Sequence, residues 1–175
     1  MKTDKALLPF GGFDTLAEFQ LSKFKPYFQK VYIGCKNKTK FNFEAEFIED
    51  LKQYEDWAPH IGLISAFEIL NEDAIFVLSV DAPFFNIEHF EKLYKELNSK
   101  DAIVAKSTDG KQPLCAIYKK SILPHLKELT KEKQYRFSNL FEKISVDFIE
   151  FDDNEIFTNL NTLEDYKRVT GISNV

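Results

Sequence analysis

An aspartate follows the most apolar stretch of the sequence. In VLSVDAPFF, Asp81 is the first charged group after residues 74–80, and Pro83 then turns the chain out of the predicted strand. A carboxylate at this point presents oxygen at the mouth of a crevice, where it is a natural ligand for a hard cation. An ordinary Asp-x-Pro turn is the alternative interpretation of the same residues.

A pair of asparagines forms a second candidate. In TNLNTLEDY, Asn159 and Asn161 flank one leucine at the end of a short β run. Side chains at i and i+2 share one face of a strand, so both amides could meet one ligand. Neutral amide oxygens suit a magnesium site that is shared with phosphates. Capping of the following helix by Asn161 or Thr162 is the alternative, and the two roles are compatible.

Two isolated polar side chains complete the candidates. In TDKALLPFGG, Lys5 could neutralise a phosphate as a point charge, or it could be a solvated lysine near the terminus. In DGKQPLCAIY, Gln112 could hydrogen-bond the edge of a base or another ligand, or it could be an exposed hairpin residue after the turn at Gly110. The chemistry predicted by these four groups together is the binding of a metal and phosphates.

Other common catalytic arrangements do not occur in the sequence. His60, His89 and His125 share no metal-binding spacing, and none has an evident serine or cysteine partner. The sequence has no complete Walker motif and no G-x-S-x-G elbow. We interpret His89 and His125 as structural or surface residues.

Strand-like and helix-like segments alternate along the chain, which predicts an α/β fold with a mostly parallel sheet. In such sheets, ligands bind outside the carboxyl ends of the strands. The strand at 74–80 is continuously apolar, as in a strand covered on both faces. Asn86 is the predicted N-cap of the clearest amphipathic helix. The predicted strands are 30–34, 46–50, 74–80, 101–106 and 145–151, and the helical patterns begin near Thr15, Gly62, Asn86 and Thr162.

Composition limits the kind of partner. The 175 residues suit one domain, and 44% hydrophobic residues, including eighteen phenylalanines, supply a core. A formal net charge of −5 argues against nucleic acid as a partner. Cys35 and Cys115 have no metal spacing and are expected to be buried free thiols in a reducing compartment. With no signal peptide and no apolar run of membrane-spanning length, we predict a soluble, cytoplasmic protein.

Taken in order, these segments resemble the molybdenum cofactor guanylyltransferase family, a group of Rossmann-like nucleotidyltransferases. The resemblance runs from about Thr3 to about Arg168. The start of the chain resembles the end of the family loop L-A-G-G-x-S-x-R-M-G-x-D-K, with Asp4 and Lys5 on its D-K pair. Further matches are FIED, VLSVDAPFF with D-x-P-F, QPLCAIY and TNLNTLEDY. Ala58 and His60 depart from the family's G-P-L-x-G pattern, which bears on selectivity for guanine.

The resemblance implies one three-layer nucleotidyltransferase domain over residues 1–175 that transfers GMP from GTP to molybdopterin and releases pyrophosphate. It implies Mg2+ as the cofactor, and molybdoenzymes or their chaperones are further candidate partners. The implied roles are Asp81 as the metal ligand, Lys5 as the triphosphate ligand, Asp50 as the nucleoside contact, Asn159 and Asn161 as supports of the metal or acceptor phosphate, and Gln112 and Arg136 as acceptor contacts.

The same resemblance predicts that the first strand and the glycine-rich half of the loop, about 20 residues, are missing. A start assigned too late and a truncated, degenerate protein are the two explanations. The missing backbone N–H groups would cradle phosphates, so we expect this chain to bind GTP poorly and an upstream-extended chain to bind it. Equal GTP affinity of this chain and the upstream-extended chain, measured by calorimetry, would contradict that expectation. The rival functions are a related enzyme that uses CTP or a sugar-phosphate acceptor, and a non-catalytic nucleotide-binding relic.

Overall fold

The structure is a computed structural model that describes residues 4–54, 56 and 58–158. Strands and helices alternate through most of this part of the chain, as the sequence predicts. The strands are β1 (Tyr32–Cys35), β2 (Glu46–Glu49), β3 (Ala74–Leu78), β4 (Ala102–Ser107), β5 (Gly110–Lys119) and β6 (Val146–Glu150), and the α-helices are α1 (Leu16–Phe24), α2 (Pro59–Ile69), α3 (Ile87–Lys95), α4 (Leu123–Lys131) and α5 (Phe137–Phe141).

The strands form two sheets. β1 and β2 pair in parallel, and the other four strands are ordered β3-β5-β4-β6. In the larger sheet β4 runs parallel to β6, while β5 is antiparallel to both of its neighbours, so that three of the four strands share one direction. The predicted α/β class with a mostly parallel sheet is therefore confirmed, with β5 as the reversed strand.

Helices cover both faces of the larger sheet and give three layers. On one face, Ile103 and Cys115 of the sheet pack with Phe24 of α1 and Leu93 of α3. On the other face, the neighbouring sheet residues pack against helices α2, α4 and α5, through Ala102, Val104, Ala116, Tyr118, Leu63, Phe67, Leu126 and Leu140. Alternate residues of one strand point to opposite faces, which is why β4 and β5 contribute to both clusters.

The apolar strand β3 is covered on both faces, as its sequence predicts. Phe76 and Leu78 pack into the cluster that contains α1, and Ile75 and Val77 pack into the opposite one. All five residues are nevertheless half-buried, because β3 is an end strand of the larger sheet in the described part of the chain. The most buried strand among those described is β4, in which every residue except Lys106 is buried.

The hairpin between β4 and β5 contains an irregularity. Val104 pairs with Ala116, but the next residue, Ala105, pairs with Gln112. Residues 113–115 therefore bulge out of the β4 ladder, and Pro113 has no N–H to donate to it. This bulge turns the start of β5 toward the end of β3, where the Leu114 carbonyl accepts the Ser79 N–H at 2.6 Å.

Side-chain caps mark the starts of α1 and α3. Thr15 caps α1 by accepting the Glu18 N–H. Asn86 caps α3 by accepting the His89 N–H, while the His89 side chain accepts the Asn86 N–H, so the predicted cap is confirmed and His89 has a structural role. The helix predicted after Thr162 lies outside the described residues. No helix among the described residues has the length and apolar character needed to cross a membrane.

Candidate functional site

A cavity of about 220 Å³ lies beside the carboxyl end of β3. Its volume is smaller than that of a typical ligand cleft, so it suits the reacting part of a substrate rather than a whole nucleotide. The lining combines the segment after β3, the bulge of β5 and one aromatic residue, and consists of Ser79, Asp81, Ala82, Gln112, Pro113, Leu114, Cys115 and Phe157.

Asp81 is the charged group of this lining and has two partners. The Ser79 hydroxyl donates to Asp81 Oδ1 at 2.5 Å, and Lys5 Nζ donates to Oδ2 at 3.2 Å. The Lys5 and Asp81 side chains are 25% and 22% exposed, so water screens the pair less than it screens a surface ion pair. Each carboxylate oxygen can accept more than one contact, which leaves capacity for a ligand at Asp81.

Lys5 reaches this position because a short, well-anchored turn carries it. Asp4 caps a 3₁₀ helix over Lys5–Leu7 by accepting the Ala6 N–H at 3.1 Å. Ala6 is buried against Val80 and against residues of the β1–β2 sheet. Lys40 pairs with Asp4 at 2.5 Å and holds the capping carboxylate. The structure therefore brings together Lys5 and Asp81, which lie 76 residues apart in the sequence.

The bulge of β5 contributes an amide and a thiol. Gln112 Nε2 donates to the Ser107 hydroxyl at 3.0 Å, which fixes the side chain at the cavity wall. Cys115 is buried, and this burial raises the pKa of its thiol to about 12. The thiol is therefore protonated at neutral pH and is a wall of the cavity, not a nucleophile. Gln112 and Asp81, predicted separately, line the same cavity.

Asp50 lies at the carboxyl end of the other sheet. Its N–H donates to the Cys35 carbonyl at 3.0 Å, next to the end of β1. Burial raises the pKa of its carboxyl, and the charge of Lys36 opposes that rise. Asp50 is not among the described residues that line the Asp81 cavity.

The remaining predicted residues are placed apart from the cavity or lie outside the described chain. Arg136 is exposed and precedes α5, which packs on the opposite face of the sheet. It is not among the described residues of the cavity lining. Asn159 and Asn161 lie outside the described residues.

Sequence reasoning missed Ser79 and two residues of α1, Gln20 and Lys23. Gln20 occupies the buried face of the helix in series with Leu16 and Phe24, and an amide within such a series is the signal that could have identified it. Lys23 Nζ donates to the Pro83 carbonyl at 2.6 Å, and burial lowers the pKa of this amine to about 8.

The donor set fits a hard divalent cation that is shared with a substrate. No cluster of three or more acidic, histidine or cysteine side chains that could hold a metal by themselves occurs within residues 4–54, 56 and 58–158. A site with one carboxylate suits Mg2+, which usually keeps waters and binds through one or two carboxylates plus substrate phosphates. Asp81 supplies that carboxylate.

Comparison with known proteins agrees with this geometry. The family model of the MobA-like NTP transferase domain matches residues 1–145. The molybdenum cofactor guanylyltransferase of Campylobacter jejuni (strain RM1221) is 33% identical over 155 residues, covering 87% of this chain and 80% of the relative. That of Helicobacter pylori (strain G27) is 31% identical over 167 residues, covering 95% and 81%.

A solved structure shows the same fold. The molybdopterin-guanine dinucleotide biosynthesis protein A of Archaeoglobus fulgidus superposes with a TM-score of 0.82 at 28% identity, covering 97% of this chain and 90% of that one. The family match spans most of the chain, and the resemblance seen in the sequence motifs is confirmed. The chain belongs to the MobA-like NTP transferase domain family and is a nucleotidyltransferase.

Proposed function

We propose that this protein transfers GMP from GTP to molybdopterin and releases pyrophosphate, in the biosynthesis of the guanine dinucleotide form of the molybdenum cofactor. The names of the relatives from C. jejuni and H. pylori support the substrates. The observation on which the proposal depends most is that Asp81, at the wall of the cavity, is in contact with Lys5. A lysine and a carboxylate in contact there can hold phosphates and a cation, respectively.

The reaction forms and breaks one phosphorus–oxygen bond. An oxygen of the acceptor's terminal phosphate attacks the α-phosphorus of GTP, and the bond from that phosphorus to the oxygen that bridges it to the β-phosphorus breaks. The bond's electron pair leaves with pyrophosphate. Because several negative charges meet at one place, positioning and charge neutralisation supply most of the catalysis.

In this proposal, Lys5 neutralises charge on the triphosphate, and its ammonium exchanges part of its contact with Asp81 for a phosphate oxygen. Ser79 holds Asp81 Oδ1 and fixes the orientation of the carboxylate. Asp81 would hold Mg2+, and a bound Mg2+ would supply Lewis-acid polarisation of phosphate oxygens. Gln112 lines the same cavity and would contact the acceptor.

The other roles stay predictions from the family pattern. Asn159 and Asn161 would support the metal or the acceptor phosphate, Asp50 would contact the nucleoside, and Arg136 would bind an acceptor phosphate. The exposure of Arg136 on the opposite face of the sheet means that only an extended acceptor could reach it.

The test is a matrix of nucleotides and acceptors with the full-length protein and Mg2+. GTP, CTP, ATP and UTP are each combined with molybdopterin or with a sugar 1-phosphate, pyrophosphate release is followed, and products are identified by mass spectrometry. We expect pyrophosphate and a guanine dinucleotide product with GTP and molybdopterin only.

Each rival function has its own result in that matrix. Product from CTP indicates a cytidylyltransferase, and product from a sugar phosphate indicates a different acceptor class. Binding of a nucleotide by calorimetry without any pyrophosphate release indicates a non-catalytic binding protein. Any of these three results would overturn the proposed reaction.

We also propose that the protein acts in the cytoplasm. Both of its cysteines, Cys35 and Cys115, are free thiols, and free thiols persist in a reducing compartment. Fractionation of cells that express a tagged protein tests this, and recovery with the membranes or in the medium would contradict it.

A further inference from the structure

The Asp81 segment, residues 79–83, is in contact with two side chains of α1. Gln20 Nε2 lies 3.4 Å from the Ser79 carbonyl oxygen, 3.3 Å from that of Val80 and 3.0 Å from that of Ala82. Lys23 Nζ lies 2.6 Å from the carbonyl oxygen of Pro83. One helix thus donates to four of the five carbonyl groups of the segment.

The chemistry fixes the orientation of the Gln20 amide. Its nitrogen has two hydrogens and is surrounded by three carbonyl oxygens, so the hydrogens are shared among them. The reverse orientation would place the amide oxygen against three other oxygens, which is repulsive. Gln20 is 9% exposed, and its Oε1 is buried and has no hydrogen-bond partner within the residues that the structure describes. Among those residues, the amide oxygen of Gln20 is therefore left without a donor, while the amide nitrogen donates to the Asp81 segment.

The helix that supplies these contacts is itself anchored. Thr15 caps its first turn, and Leu16, Leu21 and Phe24 are buried. Successive donors at Gln20 and Lys23 lie one turn apart on the helix, so they contact the segment on both sides of Asp81. The backbone before and after Asp81 is held by a rigid element, whereas the Asp81 side chain is left to face the cavity.

We propose that Gln20, assisted by Lys23, is a positioning residue that fixes the direction of the Asp81 carboxylate toward the metal–triphosphate complex. This inference rests on the proposed function. Neither residue touches the reacting atoms, and both act through the backbone of the Asp81 segment. Groups that orient a metal ligand affect metal affinity or activity about 10- to 100-fold when they are removed.

A purely structural role is the competing explanation, since loss of a buried amide also destabilises a fold. The two explanations differ in what changes at temperatures well below unfolding. A structural role lowers the melting temperature and leaves the metal requirement unchanged. A positioning role raises the metal requirement and loosens the Asp81 segment in the folded protein.

The experiment compares three variants of the full-length protein with the natural one. Gln20→Met keeps the length of the side chain and removes the donors, and Lys23→Met removes the second contact in a variant that keeps Gln20. Ser22→Ala is the matched control, because the Ser22 hydroxyl donates to Phe19 within the same helix. The readouts are the Mg2+ concentration for half-maximal transfer, direct Mn2+ binding, hydrogen exchange over residues 79–85, and the melting temperature.

We expect about a tenfold higher Mg2+ requirement and faster exchange over residues 79–85 in Gln20→Met. A smaller change of the same kind is expected in Lys23→Met, and none in Ser22→Ala. An unchanged Mg2+ requirement and unchanged exchange in Gln20→Met, whatever its melting temperature, would overturn the positioning role. If the natural protein transfers no nucleotide but Gln20→Met loosens the segment and weakens Mn2+ binding, the proposed function is wrong and the positioning role stands.

Discussion

Two polar centres, one at Asp81 and one at His60, lie on opposite faces of the larger sheet and differ in their hydrogen-bond partners. On one face, Asp81 has an ammonium and a hydroxyl as partners and lines a cavity. On the other face, His60 is completely buried, and both of its ring nitrogens lack a hydrogen-bond partner among residues 4–54, 56 and 58–158. Its ring stacks on that of Phe137, with centroids 4.7 Å apart.

Asp81 can therefore exchange a partner for a ligand, whereas the buried His60 cannot. Asp81 is in contact with Lys5 and Ser79, and a ligand can take over part of those contacts. Burial lowers the pKa of His60 to about 4, because the charged imidazolium would lose its hydration in the core. The family resemblance links His60 to selectivity for guanine, which stays a prediction, and its burial in the core means that a change at His60 should alter stability. Changes at the two centres should therefore affect different properties.

The largest expected effect is the loss of turnover in Asp81→Asn. The amide keeps the shape of the side chain and removes the charge that would hold the cation. Since a bound metal supplies several kcal/mol of transition-state stabilisation, we expect transfer to fall about 100- to 1,000-fold. The melting temperature should change little, and steady-state kinetics with thermal denaturation measures both.

The matched control for that variant is Asp147→Asn. Asp147 lies near the start of β6, at the opposite end of the parallel strands from Asp81, and pairs with Lys100 at the surface. It should keep full activity. Near-native turnover in Asp81→Asn would remove the distinction between the two centres and refute the metal role.

The next effect is on stability and depends on pH. The pKa of His60 is about 4 in the folded protein against an ordinary 6.5, so the unfolded chain binds a proton that the folded protein excludes between these values. The contribution of neutral His60 to the free energy of unfolding is complete above pH 6.5. It is lost as the pH falls toward 4, and the loss is about 3 kcal/mol at most. Urea unfolding as a function of pH measures the loss.

In His60→Leu, this part of the acid sensitivity should disappear, while activity at neutral pH is kept. The stability at pH 7 should be equal or higher, because two ring nitrogens that have no hydrogen-bond partner in the described part of the chain are removed from the core. His125→Gln is the control at a partly exposed histidine. If the free energies of unfolding of the natural protein and of His60→Leu fall in parallel as the pH decreases, His60 does not cause the acid sensitivity.

A smaller effect on turnover is expected at Lys5, which pairs with Asp81. Lys5→Met removes the ammonium and keeps much of the aliphatic stem. We expect turnover to fall about tenfold, less than at an enclosed oxyanion site, because the side chain is 25% exposed and water partly replaces it. Lys38→Met is the control, since Lys38 pairs with Glu49 in a more exposed position. Equal activity of the two variants would argue against a phosphate role for Lys5.

The smallest effect should fall on acceptor binding. Gln112→Met removes one neutral amide from the cavity wall, for which about 1 kcal/mol, or a severalfold rise in the acceptor KM, is expected. The KM for the nucleotide should stay constant. Lys111→Met is the control, because the Lys111 ammonium lies over Phe148, which packs on the opposite face of the sheet. An equal rise in both KM values would place Gln112 outside the acceptor site.

Local patterns were sufficient for much of the fold. The amphipathic series after Asn86 and its cap predicted α3, and the apolar run before Asp81 predicted β3 with both faces covered. The β5 bulge was not predicted, although Pro113 within a strand pattern is a signal for a bulge. The Gln20 contacts were also missed, because a glutamine in a helix is usually a surface residue and only its place in the buried series indicates otherwise.

The sequence by itself determined the fold class and the Asn86 cap of α3, because these depend on periodicity and on interactions between near neighbours in the chain. Only the tertiary structure decided that Lys5 contacts Asp81 across 76 residues, that Gln112 and Asp81 line one cavity, and that Arg136 precedes a helix on the other face. Such distant contacts follow from how the strands are ordered and where a strand bulges, and these features are set by the packing of the whole sheet between its two layers of helices.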